Sequence, residues 1–424
     1  MQDLSGEPAG GNWSGTHKYI ATKVVSPRTV SEVQELVRNS RRVRALGTRH
    51  SFNDIADTGG VLLSVRAIKT EIELAEPDMA VWAPAGLPYG ALAEWLDDRG
   101  LAVANLGSLP HISIGGAIAV GTHGSGDSNG NLSSSVTGIE IVTADGDLLR
   151  VESGATDFEG FVVGLGALGI VTRVKLAVVP SFEVRQDVYL SLPWRTLLSR
   201  LDAVMSAAYS VSVFTRWTES DVAQVWLKSR MGEPFRFADE FHGAVGAKDK
   251  IMSPSDEGHD NTTVQGGVAG AWHERLPHFR FDSVPSNGNE IQTEYFVARE
   301  DAARALRAVR RLGAKIDPHL LISEFRTVAG DDLWMSPAYH RDSFAIHFTW
   351  KNSPTHVLRV LPRIEEALAP FDPRPHWGKW FTLDVDATKS TYERYGDFVR
   401  LAERLDPGHK FRNPYLERVL GLPN

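Results

Sequence analysis

Between Gly115 and Gly130 the chain places six glycines within sixteen residues. Ile112, Ile114, Ala117, Ile118 and Val120 interleave with the first of them, which a solvated linker does not require. Glycines set among Ser and Thr let backbone amides approach a bulky ligand closely, whereas linker glycines serve only flexibility. The run Ser108-Leu109-Pro110-His111-Ile112-Ser113-Ile114-Gly115-Gly116, with Gly121-Thr122-His123-Gly124-Ser125-Gly126 after it, is therefore read as a ligand cradle in preference to a linker. It lacks the Gly-Lys-Ser/Thr ending of a P-loop, and no G-x-G-x-x-G opens a helix after a first strand. Mononucleotide and Rossmann readings both lose ground.

What surrounds the cradle is ordinary globular protein. The 424 residues predict two or three domains, and 42% hydrophobic residues suffice for a sizeable core. Zero cysteines exclude disulfides, thiolate metal sites, iron-sulfur clusters and thiol nucleophiles. Chemistry falls to His, Lys, Arg, carboxylates or a bound cofactor. A net charge of −8 without a basic tail argues against nucleic acid as a partner. Met1–Gly11 has no signal-peptide core and no run of about 18 apolar residues appears, so a cytoplasmic, soluble protein without a membrane partner is expected. Nothing demands an oligomer, and a monomer is expected.

Thr29 and Glu32 fit a capping box, with Val30, Val33, Leu36 and Val37 at helical spacing behind them. A strand from Val43 to Leu46 stops at Gly47, and Pro88 opens a second helix with Leu92, Trp95 and Leu96 on one face before Gly100. Strands are predicted at Val61–Val65, Met79–Ala83, Thr137–Thr143, Asp147–Val151 and Val171–Val178, with Pro180 closing a first domain. Further strands fall at Asn289–Phe296, Leu320–Arg326 and Phe344–Trp350, and helices at Ala302–Leu312 and Thr355–Leu368. Gly232–Gly270 reads as a long surface excursion. The mixture favours an α/β or α+β architecture.

Two other segments can carry chemistry. The turn Leu46-Gly47-Thr48-Arg49-His50-Ser51-Phe52-Asn53 follows a strand directly; its backbone N–H groups can form an anion nest for a diphosphate, though an ordinary turn with a solvated histidine has the same pattern. Downstream, i, i+2 spacing puts Glu324 with Arg326, and His347 with Thr349, on common strand faces, near His376-Trp377-Gly378-Lys379. Each pair alone also fits a solvent-facing salt bridge and a satisfied core histidine. His50, His111 and His123 form no short H-x-x-H or H-E-x-x-H pair, so no metal site is predicted.

Together these segments resemble the alditol oxidases (xylitol and sorbitol oxidases) of the vanillyl-alcohol-oxidase flavoprotein superfamily, relatives of the sugar-lactone oxidases. The likeness covers nearly the whole chain. It rests on Asn12-Trp13-Ser14-Gly15, the Gly47–Asn53 turn, the Ser108–Gly126 cradle, Gly166-Ala167-Leu168-Gly169-Ile170-Val171-Thr172, Trp272-His273-Glu274-Arg275-Leu276-Pro277-His278, His376–Lys379, and the closing Asp406-Pro407-Gly408-His409-Lys410-Phe411-Arg412-Asn413. It implies an α+β fold: a two-lobed FAD-binding domain over residues 1–180, a substrate-binding cap built on an antiparallel sheet over 181–380, and a segment 381–424 returning to the first domain.

The resemblance further implies FAD joined covalently through His50, a bond that suits a neutral imidazole and raises the flavin's redox potential. Gly47, Thr48, Arg49, Ser51, Ser113, Gly115 and Gly116 match the diphosphate site, Ser108, Thr122, His123 and Gly124 the flavin surroundings, and Ile170 the adenine end. Ser108, Glu324, Arg326, His347, Thr349 and Lys379 match the polyol site, with Arg326, Lys379 and His347 the catalytic candidates. Gly107, a small residue beside the flavin, implies access for molecular oxygen and hydrogen peroxide as product. The implied function is oxidation of the terminal alcohol of a polyol to an aldose. A sugar-lactone oxidase or dehydrogenase is the alternative, and a flavin or carbohydrate-binding protein without turnover a third reading.

Overall fold

The computed structural model describes residues 7–235, 239–247, 252–254, 261–283 and 288–423. Its first helix spans Val30–Asn39, where Thr29 Oγ1 accepts the Glu32 amide at 3.2 Å and Val33 and Val37 are fully buried. Glu32 reaches back to the Arg28 amide at 2.6 Å rather than to Thr29, so the box closes one residue earlier than its pattern indicates. Behind this helix, Val43–Leu46 and Lys23–Val25 flank Val61–Ser64 in a parallel three-stranded sheet. A five-stranded antiparallel sheet runs in the order Glu73–Ala75, Ala80–Pro84, Ile170–Ala177, Val136–Val142, Leu148–Glu152. The cradle's short helix, Ile114–Ala119, packs its apolar side into the core cluster beneath. It is pinned to the edge of that sheet by Gly115 N–H donating to Ala85 O at 2.8 Å.

A sheet of ten strands among the described residues forms the second layer. Its centre is antiparallel: Ser210–Thr215, Leu320–Val328, Ser343–Lys351 and Glu290–Ala298 lie side by side. One face packs Phe325, Ile346 and Tyr295 against the helices Ala302–Arg310 and Pro354–Leu368. The other face points back toward the cradle.

Three strands of this sheet have no counterpart in the periodicity: Glu183–Pro193, Ser210–Thr215 and Asp221–Arg230. In the first, polar residues fall on the buried side as well. Gln186 is fully buried and donates to the Thr263 and Val264 carbonyls, which breaks the apolar-polar alternation. The same contacts correct the expected surface excursion. Of Gly232–Gly270, Ala244–Gly246 and Gly270–Ala271 pair with Glu183–Pro193, and Ser253, Thr263 and Gln265 are buried. A sheet edge with open N–H and C=O groups recruits such a polar segment through its backbone. Residues 232–234, 239 and 240 are exposed, and residues 236–238, 248–251 and 255–260 lie outside the described residues.

The end of the chain comes back to the beginning. Val43 N–H donates to Lys410 O at 3.0 Å, Phe411 packs with Val33 and Val37, and the Asn413 amide donates to the carbonyls of Asp54, Ile55 and Asp57. Among the described residues no helix is long and apolar enough to cross a membrane.

Candidate active site

A cavity of about 760 Å3 opens between the cradle and the polar face of the large sheet. Strand register builds the polar wall. Glu324 stands opposite His347, and His347 opposite Glu294; in the neighbouring row Ile322, Thr349 and Gln292 are aligned the same way. Arg326 follows two residues after Glu324, hence on the same face. Lys379 arrives from the other side, on a turn whose His376 amide donates to Glu294 O at 3.0 Å. Glu324, Arg326 and His347 are only 6%, 5% and 5% exposed, so the solvent-facing salt-bridge alternative does not describe them.

Glu294 is the hub of this wall. Fully buried, its carboxylate accepts from Lys379 Nζ at 2.6 Å and from Arg326 Nη2 at 3.1 Å, and His123 Nε2 stands 3.2 Å away without a hydrogen bond. Burial alone would raise its pKa; Lys379, His123 and Arg326 outweigh that and hold the carboxyl well below the usual carboxylate range. Glu324 is likewise held low against its own burial, by Arg326 and His278. Lys379 Nζ also donates to His347 Nδ1 at 2.8 Å, which puts the imidazole proton on Nε2, 3.0 Å from Thr349 Oγ1. Burial, with Lys379 beside it, brings His347 down to about 4, so the ring is neutral near pH 7.

Across the cavity, Phe52 N–H donates to Gly378 O at 2.7 Å and the Asn53 amide to the carbonyls of Trp377 and Lys379, so the His50 turn and the Lys379 turn are one assembly. Arg49 adopts a φ of 64°, and its guanidinium is tied to Ala9 O at 2.7 Å. The turn joins the cradle through Thr48 Oγ1, which accepts the Ser113 amide at 3.2 Å. A Cβ on Gly47 would lie 2.4 Å from Ser113 Oγ, and one on Gly116 2.9 Å from the same oxygen. His50 stacks on Trp13 with ring centroids 5.2 Å apart, its Nδ1 buried without a hydrogen-bond partner. Burial, then the neighbouring His111, lowers its pKa to about 4.

Gly47, Thr48, Arg49, His50, Ser51, Gly107, Ser108, Ser113, Gly115, Gly116, Thr122, His123, Glu324, Arg326, His347, Thr349 and Lys379 thus all line one cavity. Two of the sequence-derived residues do not. Ile170 faces the other side of its strand, packed with Val33, Val37 and Phe411, and its neighbours Gly169 and Val171 meet the cavity instead. Gly124 sits behind His123, accepting its Nδ1–H at 2.8 Å. Glu294 went unread as a functional residue, because Glu290-Ile-Gln-Thr-Glu-Tyr-Phe296 scans as a strand and only its register with His347 places the carboxylate at the centre.

Residues 21–152 match the FAD binding domain family, and residues 286–419 match the D-arabinono-1,4-lactone oxidase family. The chain is 44% identical over 412 residues to an alditol oxidase of a Streptomyces species, covering 96% of this chain and 98% of that protein. It is 28% identical over 456 residues to an L-gulono-1,4-lactone dehydrogenase of Mycobacterium tuberculosis, covering 98% and 99%. Among solved structures, cholesterol oxidase from B. sterolicum superposes with a TM-score of 0.79 at 15% identity, over 99% of this chain and 98% of that one. That last likeness concerns the fold: a flavin-binding domain beside an antiparallel-sheet domain.

Proposed function

The chain belongs to the alditol oxidase family of FAD-dependent oxidoreductases, and from that footing we propose that it oxidises the terminal primary alcohol of polyols such as xylitol and sorbitol to the aldose, with oxygen reduced to hydrogen peroxide. The observation that carries the reading is the composition of the buried wall. Glu324 and Glu294 balance Arg326 and Lys379, with Thr349, Ser108 and neutral His347 between them. A row of substrate hydroxyls, each donor and acceptor, can satisfy such a wall, whereas an anionic substrate would find no uncompensated charge.

The residues fit FAD on two counts: an orphaned buried Nδ1 on His50, and a Gly47–Gly116 gap that side chains would fill. Gly47–Ser51 with Ser113, Gly115 and Gly116 would hold the diphosphate, Thr122 and His123 would flank the ring system, and His50 would carry the covalent bond. When bound, the flavin would supply the acceptor for the hydride, and with it the two electrons, that leaves the alcohol carbon. On this reading residues 1–180 and 381–424 form the cofactor domain and 181–380 the substrate domain.

Arg326 and Lys379 lower the pKa of the reacting hydroxyl, so that its proton can pass to water in the cavity, and stabilise the alkoxide left behind. Arg326 Nη1 also donates to Ser108 Oγ at 3.2 Å, linking substrate wall to cradle. His347 has both ring nitrogens engaged, so its role is to hold the Lys379 ammonium and order Thr349. Gly107 lies on the cavity and puts no side chain into it, which supports oxygen as the electron acceptor.

Peroxide formation across a panel of polyols and sugar lactones tests the reading, together with acid precipitation. Xylitol or sorbitol should yield peroxide, the wild-type precipitate should stay yellow and the His50→Ala precipitate should be colourless. The match of residues 286–419 to a lactone oxidase family supports a lactone as the second reading. Turnover of lactones with none of any polyol would move the assignment there, and a colourless native precipitate would remove the covalent bond.

A further inference from the structure

Behind the polyol wall lies a lysine to which the reading above gives no role. Lys228, on the Asp221–Arg230 strand, is 1% exposed, yet it meets no carboxylate within ion-pair distance among the described residues. Burial pulls its pKa well below the ordinary lysine range, with Glu324 pulling the other way. Three acceptors nevertheless converge on Nζ, Leu276 O at 2.5 Å, Pro277 O at 2.9 Å and His278 Nδ1 at 3.2 Å, a set that uses all three protons of an ammonium. Because Nδ1 accepts, the proton of the neutral imidazole stands on Nε2, and that N–H meets Glu324 Oε1 at 2.8 Å. With the other tautomer, two lone pairs would face each other across that distance.

The second protein contact of Glu324, Arg326 Nε at 3.4 Å, falls on the same oxygen, which leaves Oε2 to accept from a substrate. The backbone of the same segment reaches the cradle, since the amides of His278 and Phe279 both donate to Ser108 O, at 3.1 and 3.2 Å. Leu276–Phe279 therefore couples one buried ammonium to two of the six groups assigned to the polyol. The arrangement repeats the one across the wall, where Lys379 sets the tautomer of His347 for Thr349.

We propose that Lys228 and His278 are positioning residues for the substrate: the ammonium fixes the imidazole tautomer, and the imidazole fixes Glu324 so that its open oxygen receives one particular polyol hydroxyl. This rests on the polyol reading of the cavity. Neither residue touches the reacting carbon, so the effect belongs in KM and in discrimination among hydroxyl patterns.

The test compares wild type with His278→Leu, His278→Gln and Lys228→Met. It measures bound flavin, steady-state KM and kcat for xylitol, and the same constants for singly deoxygenated xylitols. His278→Leu and Lys228→Met should raise KM for xylitol about tenfold or more, the range expected for loss of a hydrogen bond to a charged group, with kcat within about threefold and flavin content kept. His278→Gln, whose amide can donate to Glu324, should recover most of that loss. In wild type one deoxy position should carry a penalty of about tenfold, and in His278→Leu that penalty should vanish. A KM unchanged in both His278 variants, or a loss spread evenly over every deoxy analogue, would overturn the positioning role while leaving polyol oxidation standing. No turnover of any polyol by wild type would instead remove the polyol reading and the positioning role with it. Should Lys228→Met fail to fold, the two His278 variants decide the question.

Discussion

A neutral imidazole nitrogen is the form that attacks an electrophilic carbon, and His50 is kept neutral by burial and by His111. Its pKa of about 4 lies below the ordinary 6.5, so the reactive form persists as pH falls until about 4. Apoprotein given FAD should therefore attach it at pH 5 with about nine-tenths of the pH 7 rate, whereas an unshifted histidine would retain a few per cent. Acid-stable flavin against time measures this, with circular dichroism checking the fold; a midpoint near 6.5 would contradict the account. Lys379→Ala belongs to the same scale. It removes a donor to Glu294 and His347 without touching the His50 turn's own side chains, so turnover should fall by about 10²-fold or more while flavin content changes little. Glu294→Gln leaves Lys379 without its buried counter-charge and Arg326 with Glu324 alone, and should cost about 3 kcal/mol in thermal or denaturant unfolding. The polar pairs two residues apart were legible because strand periodicity alone puts them on one face. Glu294 was not, since Glu290, Gln292 and Glu294 alternate like the polar face of any half-buried strand, and only the neighbours across the ladder single out one carboxylate.

At the scale of elements, the glycines of the turn and cradle keep a gap open, and two substitutions separate that role from ordinary packing. Gly47→Ala would set a methyl 2.4 Å from Ser113 Oγ, so the hydroxyl or the turn must shift within the gap between turn and cradle. Gly60→Ala would set one 2.1 Å from the Arg42 carbonyl, a backbone atom that cannot yield. Gly47→Ala should lose most of its flavin with a modest change in apoprotein stability. Gly60→Ala should lose about 2 kcal/mol or more and keep flavin in whatever fraction folds. Equal flavin loss in both would mean that the cradle glycine serves packing alone. The helix at Val30–Asn39 and the strand before Gly47 could be read from cap and periodicity because local chemistry determines them. Glu183–Pro193 could not, because Gln186 points inward to serve the backbone of residues 263 and 264, more than seventy positions away. Such a strand satisfies a tertiary partner, not a local pattern.

Over the whole molecule, the site depends on pieces of chain that are far apart in sequence meeting around the His50 turn. Arg44 donates to the carbonyls of Ile55, Leu165 and Phe411, and Asn413 to those of Asp54, Ile55 and Asp57, so two side chains fasten the closing motif to the segment that follows His50. The Asn413 side-chain oxygen Oδ1 also caps the Pro414–Leu420 helix by accepting the Leu416 amide at 3.0 Å. The closing motif could be recognised in the sequence, but which carbonyls it serves follows only from the fold. Asn413→Ala leaves the Asp57 carbonyl without its donor, reduces those of Asp54 and Ile55 to one partner each, the Asp57 amide and Arg44, and uncaps the helix, which should lower stability by about 2–4 kcal/mol. Because these carbonyls lie just beyond His50, the variant should also attach FAD more slowly than a control of equal thermal stability altered elsewhere, such as Thr29→Ala combined with a conservative truncation in the core cluster of the large sheet. Acid-stable flavin at matched unfolding midpoints makes the comparison. Slower attachment in Asn413→Ala shows that the closing motif tunes the geometry of the turn, and equal rates would reduce the tie to general stability.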